Sequence, residues 1–172
     1  MKTDQNMSFE LAIALGSNLG DRQRNLSEAV NRLEHAIGRV TAKSKIYVSH
    51  PVGNVDQEFM NAVVLVQTQL NSSQWMGKLL AIESEMGRVR TAESGNRIID
   101  LDVVLAQQNE IGLVFDEIDL LVPHPRAHER EFVMLPLADV ASQWQWPQLG
   151  ITVAFMAKTC PSGQVLRTIS QW

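Results

Sequence analysis

The apolar pattern of this chain changes period in a fixed order, and that order limits the fold more than any single residue does. Phe9, Leu11, Ile13 and Leu15 alternate with Glu10, Ala12 and Ala14, the period-two signature of a strand, which stops at Gly16-Ser17-Asn18. After Gly20-Asp21, residues Leu26, Ala29, Val30, Leu33, Ala36 and Ile37 recur at helical spacing, and Gly38 is placed to end that helix. Alternation returns from Val40 to Ser49 and runs into the turn His50-Pro51-Val52-Gly53, after which Phe59 to Leu70 reads as a further strand. Trp75, Met76, Leu79, Leu80, Ile82 and Met86 form a second helical stripe, with Ser72 or Ser73 as its cap and Gly87 as its stop. A polar loop over 88–97 leads into Ile98–Leu105, apolar and β-branched as buried strands are. The resulting order, βαββαβ, predicts an α+β fold of the ferredoxin-like kind, an antiparallel sheet with helices packed on one face. Beyond residue 107 the pattern weakens to short strand or loop pieces, with helices expected near Phe132–Val140 and Val153–Lys158 as C-terminal additions.

The length of 172 residues, without repeats or a linker-like tract, suits one domain over 8–172, preceded by a loose stretch at 1–7. A net charge of −4, from 15 basic and 19 acidic residues, argues against general neutralisation of a nucleic-acid backbone. Apolar runs such as Leu11–Leu15 and Ala62–Val66 fall far short of the ~20 residues that cross a bilayer, so no membrane partner is expected. Asp4 and Glu10 near the start do not suit an export signal, and the single Cys160 can close no internal disulfide. A cytoplasmic, monomeric protein is the expectation.

The chemistry concentrates around Arg97-Ile-Ile-Asp100-Leu-Asp102. Residues two apart in a strand point the same way, so the two aspartates share one face, close enough to hold a pair of Mg²⁺ ions. An isolated Asp-x-Asp is better explained as a solvated face paired with arginines. Here Arg88, Arg90 and Arg97 stand immediately upstream, which is the composition of a nucleotide triphosphate site. Glu83 lies on the apolar stripe of the second helix and is either a structural ion pair or a contact to ligand or metal-bound water. Asn61 interrupts an apolar strand, so its amide bonds either backbone or a polar heterocycle. His124 and Arg130, in a proline-bearing loop, suit a second phosphate-contacting edge, with satisfied structural polar residues as the alternative. Zinc is a poor match to His124 and His128, because Pro125 interrupts a helix between them. Gly16-Ser17-Asn18 lacks the ending of a P-loop and reads as a tight turn, with Asp21 capping the helix that follows.

Taken together, these segments resemble the 6-hydroxymethyl-7,8-dihydropterin pyrophosphokinase family over nearly the whole chain. The resemblance rests on Ala14-Leu-Gly-Ser-Asn-Leu-Gly-Asp21, Tyr47-Val-Ser-His-Pro51-Val-Gly53, Phe59-Met-Asn61, Ile82-Glu83 and Gly87-Arg88-Val-Arg90. It continues through Arg97-Ile-Ile-Asp100-Leu-Asp102, Pro123-His124-Pro-Arg126 and Arg130-Glu-Phe132. It implies transfer of pyrophosphate from ATP to a pterin alcohol in folate biosynthesis, with AMP released. It implies two Mg²⁺ ions on Asp100 and Asp102, and ATP phosphates on Arg88, Arg97, His124 and Arg130, with Glu83 on the nucleotide side. The pterin would lie between Phe59 and Phe132 and be read by Asn61 and the backbone at Ser49 and Val52. Glu93-Ser-Gly-Asn-Arg97 is one residue shorter than the usual family run and lacks its Trp and Pro, so a binding-only or altered-specificity paralogue is the alternative. A nucleotidyltransferase also joins a Gly-Ser turn to Asp-x-Asp, but keeps the two close in sequence.

Overall fold

The computed structural model describes residues 8–51, 55–89 and 95–172; the expectation for 1–7 lies outside them. In chain order the elements are β1 (Phe9–Ser17), α1 (Arg22–Ala36), β2 (Arg39–Lys43), β3 (Ile46–Ser49), β4 (Phe59–Thr68), α2 (Ser72–Glu85) and β5 (Asp100–Gln108). There follow β6 (Ile111–Gly112), β7 (Phe115–Glu117), β8 (Leu120–Val122), α3 (Glu131–Ala141), α4 (Val153–Thr159) and β9 (Val165–Ile169). Seven strands among the described residues form one sheet, ordered β6-β5-β1-β4-β3-β9 with β2 also on β4, and every pairing is antiparallel.

The expected βαββαβ core is present, with one strand divided. Val40–Ser49 is two strands because Ser44 takes over the ladder between them. Its Oγ accepts the Val63 amide at 2.9 Å while its own amide donates to the Val63 carbonyl at 2.9 Å. Asp21 caps α1, accepting the Arg24 amide at 3.1 Å, as its position after Gly20 suggests. Past the end of that helix Gly38 packs against β4, where a Cβ would meet the Gln67 carbonyl oxygen at 2.2 Å. The cap of α2 is Asn71 rather than Ser72 or Ser73: its amide donates to Gln74 Oε1 at 3.1 Å, the back-bond of a capping box that Gln74, three residues on, supplies to Asn71.

Helices cover both faces of the sheet, not one. α1 and α2 pack on Leu11, Ile13 and Leu15 of β1, Val64 and Val66 of β4, and Leu101 and Val103 of β5. Trp75 fills this layer, its ring edge-on to Phe9 and to Phe115 with centroids 5.3 Å apart in each case. On the other face α3 and α4 bring Val133, Met134, Leu137 and Val153 onto Ala12, Val63 and Leu65. Between the pairs Ala12–Leu105 and Ile13–Val103 the register shifts, so Val104 and Leu105 both reach this second layer. Trp146 is buried there, and Trp172 donates its indole N–H to the Ser44 carbonyl at 2.7 Å, so both tryptophans pack on the body of the fold.

Candidate active site

The three central strands come level at one end. Gly16 of β1 pairs with Asn61 of β4 on one side and Asp100 of β5 on the other, and Ala14 pairs with Asp102. Antiparallel register thus sets Asn61, Gly16 and Asp100 in one row, facing α3. Gly16 is the floor of the hollow this leaves. A Cβ there would stand 3.5 Å from Asn61 Oδ1, 3.8 Å from Phe59 Cδ1 and 3.9 Å from Asp100 Cβ.

A cleft of about 100 Å³ lies over this row, walled by Ser49, Phe59 and Asn61 from the sheet and by Arg130 and Phe132 at the start of α3. Asn61 donates from Nδ2 to the Tyr47 carbonyl at 3.1 Å and to Ser49 Oγ at 2.9 Å. Its backbone and side-chain partners consume the donors and leave the Oδ1 acceptor facing the Gly16 hollow. The start of α3 is tied down by a part of the chain that gave no local signal: Glu131 Oε2 accepts the amides of Gln164 at 2.7 Å and Val165 at 2.9 Å, while Gln164 Oε1 accepts the Glu131 amide at 3.0 Å. That reciprocal clamp sets Arg130 and Phe132 on either side of Glu131.

Beneath the row, Glu83 is buried, and its Oε1 accepts from the Leu101 amide at 2.8 Å and from Arg88 Nη1 at 2.5 Å. The same Arg88 nitrogen lies 2.5 Å from Asp100 Oδ1, and Arg97 pairs with the other oxygen of Asp100. Arg97 also stands over the Phe59 ring, 5.9 Å from its centroid. Among the described residues Asp102 forms no ion pair. Burial, then the charges of Asp100 and Glu83, push its carboxyl up to about 6. His124 moves the other way, held below its ordinary value by burial and by Arg130, and so is neutral near pH 7. Its Nδ1 accepts the Arg126 amide at 3.2 Å, which leaves the proton on Nε2. Arg130, half-buried, forms no ion pair among the described residues.

Asp102 opens onto a second cleft of about 210 Å³, lined by Met76, Val103, Leu120, Leu121, His124 and Pro125. Asp100 lines the aromatic cleft, Asp102 the aliphatic one, and both line a smaller cavity of about 50 Å³ beside Gly16, Arg130 and Phe132. The larger grooves, each about 470 Å³, lie elsewhere: one between α1 and α2, the other near Gly38 and Thr68, and neither reaches these carboxylates. Arg88, Arg97, Asp100, Asp102, Arg130, Phe132, Ser49, Phe59 and Asn61 therefore gather at one end of the sheet, with His124 beside Asp102. Glu83 lines neither cleft and reaches them through Arg88. Val52 lies outside the described residues.

The model of the family described as 7,8-dihydro-6-hydroxymethylpterin-pyrophosphokinase (HPPK) matches residues 12–142. The chain belongs to this family. It is 44% identical over 133 residues to the 2-amino-4-hydroxy-6-hydroxymethyldihydropteridine pyrophosphokinase of Bacillus subtilis, covering 76% of this chain and 77% of that one. The enzyme of the same name from Methylorubrum extorquens is 40% identical over 157 residues, covering 88% of this chain and 94% of that one. Among solved structures, an HPPK-DHPS in complex with substrates superposes with a TM-score of 0.70 at 13% identity, over 89% of this chain, which establishes a shared fold. The chain spans 43% of that fused protein, and 19% of the folic acid synthesis protein fol1 of Pneumocystis carinii, to which it is 38% identical over 83% of its own length. Among the described residues no helix is long and apolar enough to cross a membrane.

In HPPK terms the hollow over Gly16 is the feature most easily tested. The distances around an added Cβ are ordinary van der Waals contacts, so Gly16→Ala should fold with an unchanged urea midpoint. The methyl fills the floor of the aromatic cleft, and KM for the pterin should rise about tenfold, an overpacking penalty of about 1–2 kcal/mol. A lowered midpoint with unchanged KM would place the role of Gly16 in folding.

Proposed function

We propose that the two clefts flanking Asp100 and Asp102 hold the two substrates of the HPPK reaction. The reaction is transfer of pyrophosphate from ATP to 6-hydroxymethyl-7,8-dihydropterin, releasing AMP, in folate biosynthesis. The observation that carries the assignment is the placement of one aspartate on each cleft, with a small cavity lined by both. A bisubstrate transfer needs its reacting atoms brought together at such a junction.

The aromatic cleft suits the pterin. Phe59 and Phe132 both line it and can stack on a flat heterocycle, while Asn61 Oδ1 accepts from its amino or ring N–H edge, oriented by the bonds Asn61 makes to Tyr47 and Ser49. The family resemblance implies further contacts to such a ring from the backbone near Ser49. The aliphatic cleft suits the nucleotide base, with Met76, Val103 and Leu120 against its face. The phosphates then lie across Asp100 and Asp102, within reach of Arg88, Arg97, Arg130 and the Nε2–H of His124. His124, being neutral, contributes a hydrogen bond there rather than a charge.

Mg²⁺ fits the donor set. Two carboxylates share a strand face, and the Asp102 carboxyl, raised first by burial and then by the charges of Asp100 and Glu83, stands where a cation would be favoured. Mg²⁺ is a hard cation that takes one or two carboxylates and completes its shell with water and phosphate oxygens. Asp100 and Asp102 would hold two such ions, which would supply positive charge to offset that developing in the transfer. Arg88 and Arg97, which pair with Asp100, would also contact the phosphates. Stacking and the Asn61 contact hold the pterin so that its hydroxyl meets the β-phosphorus in line. No side chain is assigned as general base.

The test is AMP formation from ATP and Mg²⁺ with and without 6-hydroxymethyl-7,8-dihydropterin. AMP that depends on the pterin, together with a pterin pyrophosphate, is the expected result. Saturable binding of both substrates without AMP would instead mark a binding-only paralogue and direct attention to Gly95-Asn96-Arg97.

A further inference from the structure

Arg97 comes from residues 95–97, which belong to no helix or strand, yet a guanidinium serving a phosphate has to be placed to within a fraction of an ångström. The restraint comes from the other end of the core. Asn18, fully buried just beyond β1, accepts the Arg97 amide on Oδ1 at 2.7 Å and donates its own amide to the Arg97 carbonyl at 3.1 Å. Its Nδ2 donates to Asn96 Oδ1 at 3.0 Å. One asparagine thus satisfies both backbone polar groups of Arg97 and holds the preceding side chain as well. The turn that carries it is itself fixed, because Asn25 of α1 donates to Ser17 Oγ at 3.1 Å and to the Leu19 carbonyl at 2.8 Å.

We propose that Asn18 is a positioning residue for Arg97, fixing the backbone from which that guanidinium reaches Asp100 and the substrate phosphates. A turn asparagine that only satisfied its own surroundings would bond within residues 17–25; the three bonds here go to residues 96 and 97 instead. The side chain needed is an amide of this length. Aspartate keeps the acceptor for the Arg97 amide and loses the donor to Asn96, whereas serine is too short to reach either.

The kinetic consequence rests on the pyrophosphokinase reading; the structural one does not, and the test uses both. Amide hydrogen exchange is followed at Arg97 and through β1 and β4 in the full chain, for the wild type, Asn18→Ala and Asn18→Asp. Exchange at Arg97 should quicken at least about tenfold in Asn18→Ala, with the sheet unchanged, and stay close to wild type in Asn18→Asp. In pterin-dependent turnover, Asn18→Ala should lower kcat about 10–100-fold in the wild-type background and less than about twofold in the Arg97→Ala background, since it acts through Arg97. Equal losses in the two backgrounds, unchanged protection at Arg97, or protection lost throughout the sheet would each overturn the proposal. If Asn18→Ala does not fold, Asn18→Ser carries the same expectations. A wild type without turnover would remove the pyrophosphokinase reading, and exchange at Arg97 would still decide the positioning role.

Discussion

Asp102→Asn should give a protein that is more stable than the wild type and inactive. The ionised carboxylate of Asp102 is buried beside Asp100 and Glu83, and its pKa of about 6 lies above the ordinary 3.8. Between about pH 4 and 6 the native state therefore keeps a proton that the unfolded chain has already lost. Stability contributed by the protonated form falls as pH rises through that window, and the penalty is complete above it. A shift of about two units corresponds at most to about 3 kcal/mol; solvent reaching the clefts reduces this, so a gain of roughly 1–2 kcal/mol is expected for Asp102→Asn near pH 8. In urea unfolding the gain should shrink toward zero near pH 4, where wild-type Asp102 is already neutral; an equal gain at both pH values would mean that charge is not its cause. Turnover should fall at least ~10³-fold, the loss of several kcal/mol of charge stabilisation at the phosphates. Asp100→Asn should have the opposite effect on stability, because Asp100 is paired with Arg88 and Arg97. Two aspartates on one face of one strand are thus separable by sign.

Period was enough to read the core of the fold, and it failed where tertiary contacts replaced it. β1, α1 and α2 carry a clean repeat, β4 and β5 read as apolar runs, and all five stand close to where the sequence places them. The division at Ser44 was hidden because Ala42, Ser44, Ile46 and Val48 keep alternating while the Ser44 hydroxyl takes a backbone bond of β4. The second helical layer had a visible sign in the unbroken run Ala62–Val66, since a strand covered on one face alternates and one covered on both does not. β9 is largely exposed at the sheet edge, so burial left little mark on Val165–Ile169. At the site, the same-face rule for strands was sufficient to pair Asp100 with Asp102. Phe59 and Phe132 could be joined only through the family resemblance, because 73 positions separate residues that meet across the cleft. Asn18, Glu131 and Gln164 act through backbone groups of distant segments, and no local pattern marks such bonds.

Glu83 carries a choice that the sequence leaves open and that a stability measurement decides. It could have been a structural ion pair or a contact to ligand; its Oε1 bonds the Leu101 amide and Arg88, and it lines neither cleft. Glu83→Ala removes one of the two carboxylates bonded to Arg88, leaving Asp100 as the other, and leaves the buried amide between Asp100 and Asp102 without its acceptor; a lost charge-assisted bond and an unsatisfied amide together cost about 3–5 kcal/mol. Much of an ordinary domain's stability is of that size, so the variant should be partly unfolded near 37 °C. Glu83→Gln keeps an acceptor for Leu101 and loses only the charge opposite Arg88, so it should recover about half of the loss. Both differences should appear in urea unfolding without added Mg²⁺ or nucleotide. If Glu83→Ala were as stable as the wild type in that buffer and failed only in turnover, the carboxylate would belong to the substrates and not to the fold. If the expected loss is seen, Glu83 is what lets Arg88 and the first turn of β5 stand at the junction of the two clefts, and its contribution to catalysis is the position of Arg88 and of the two aspartates on either side of Leu101.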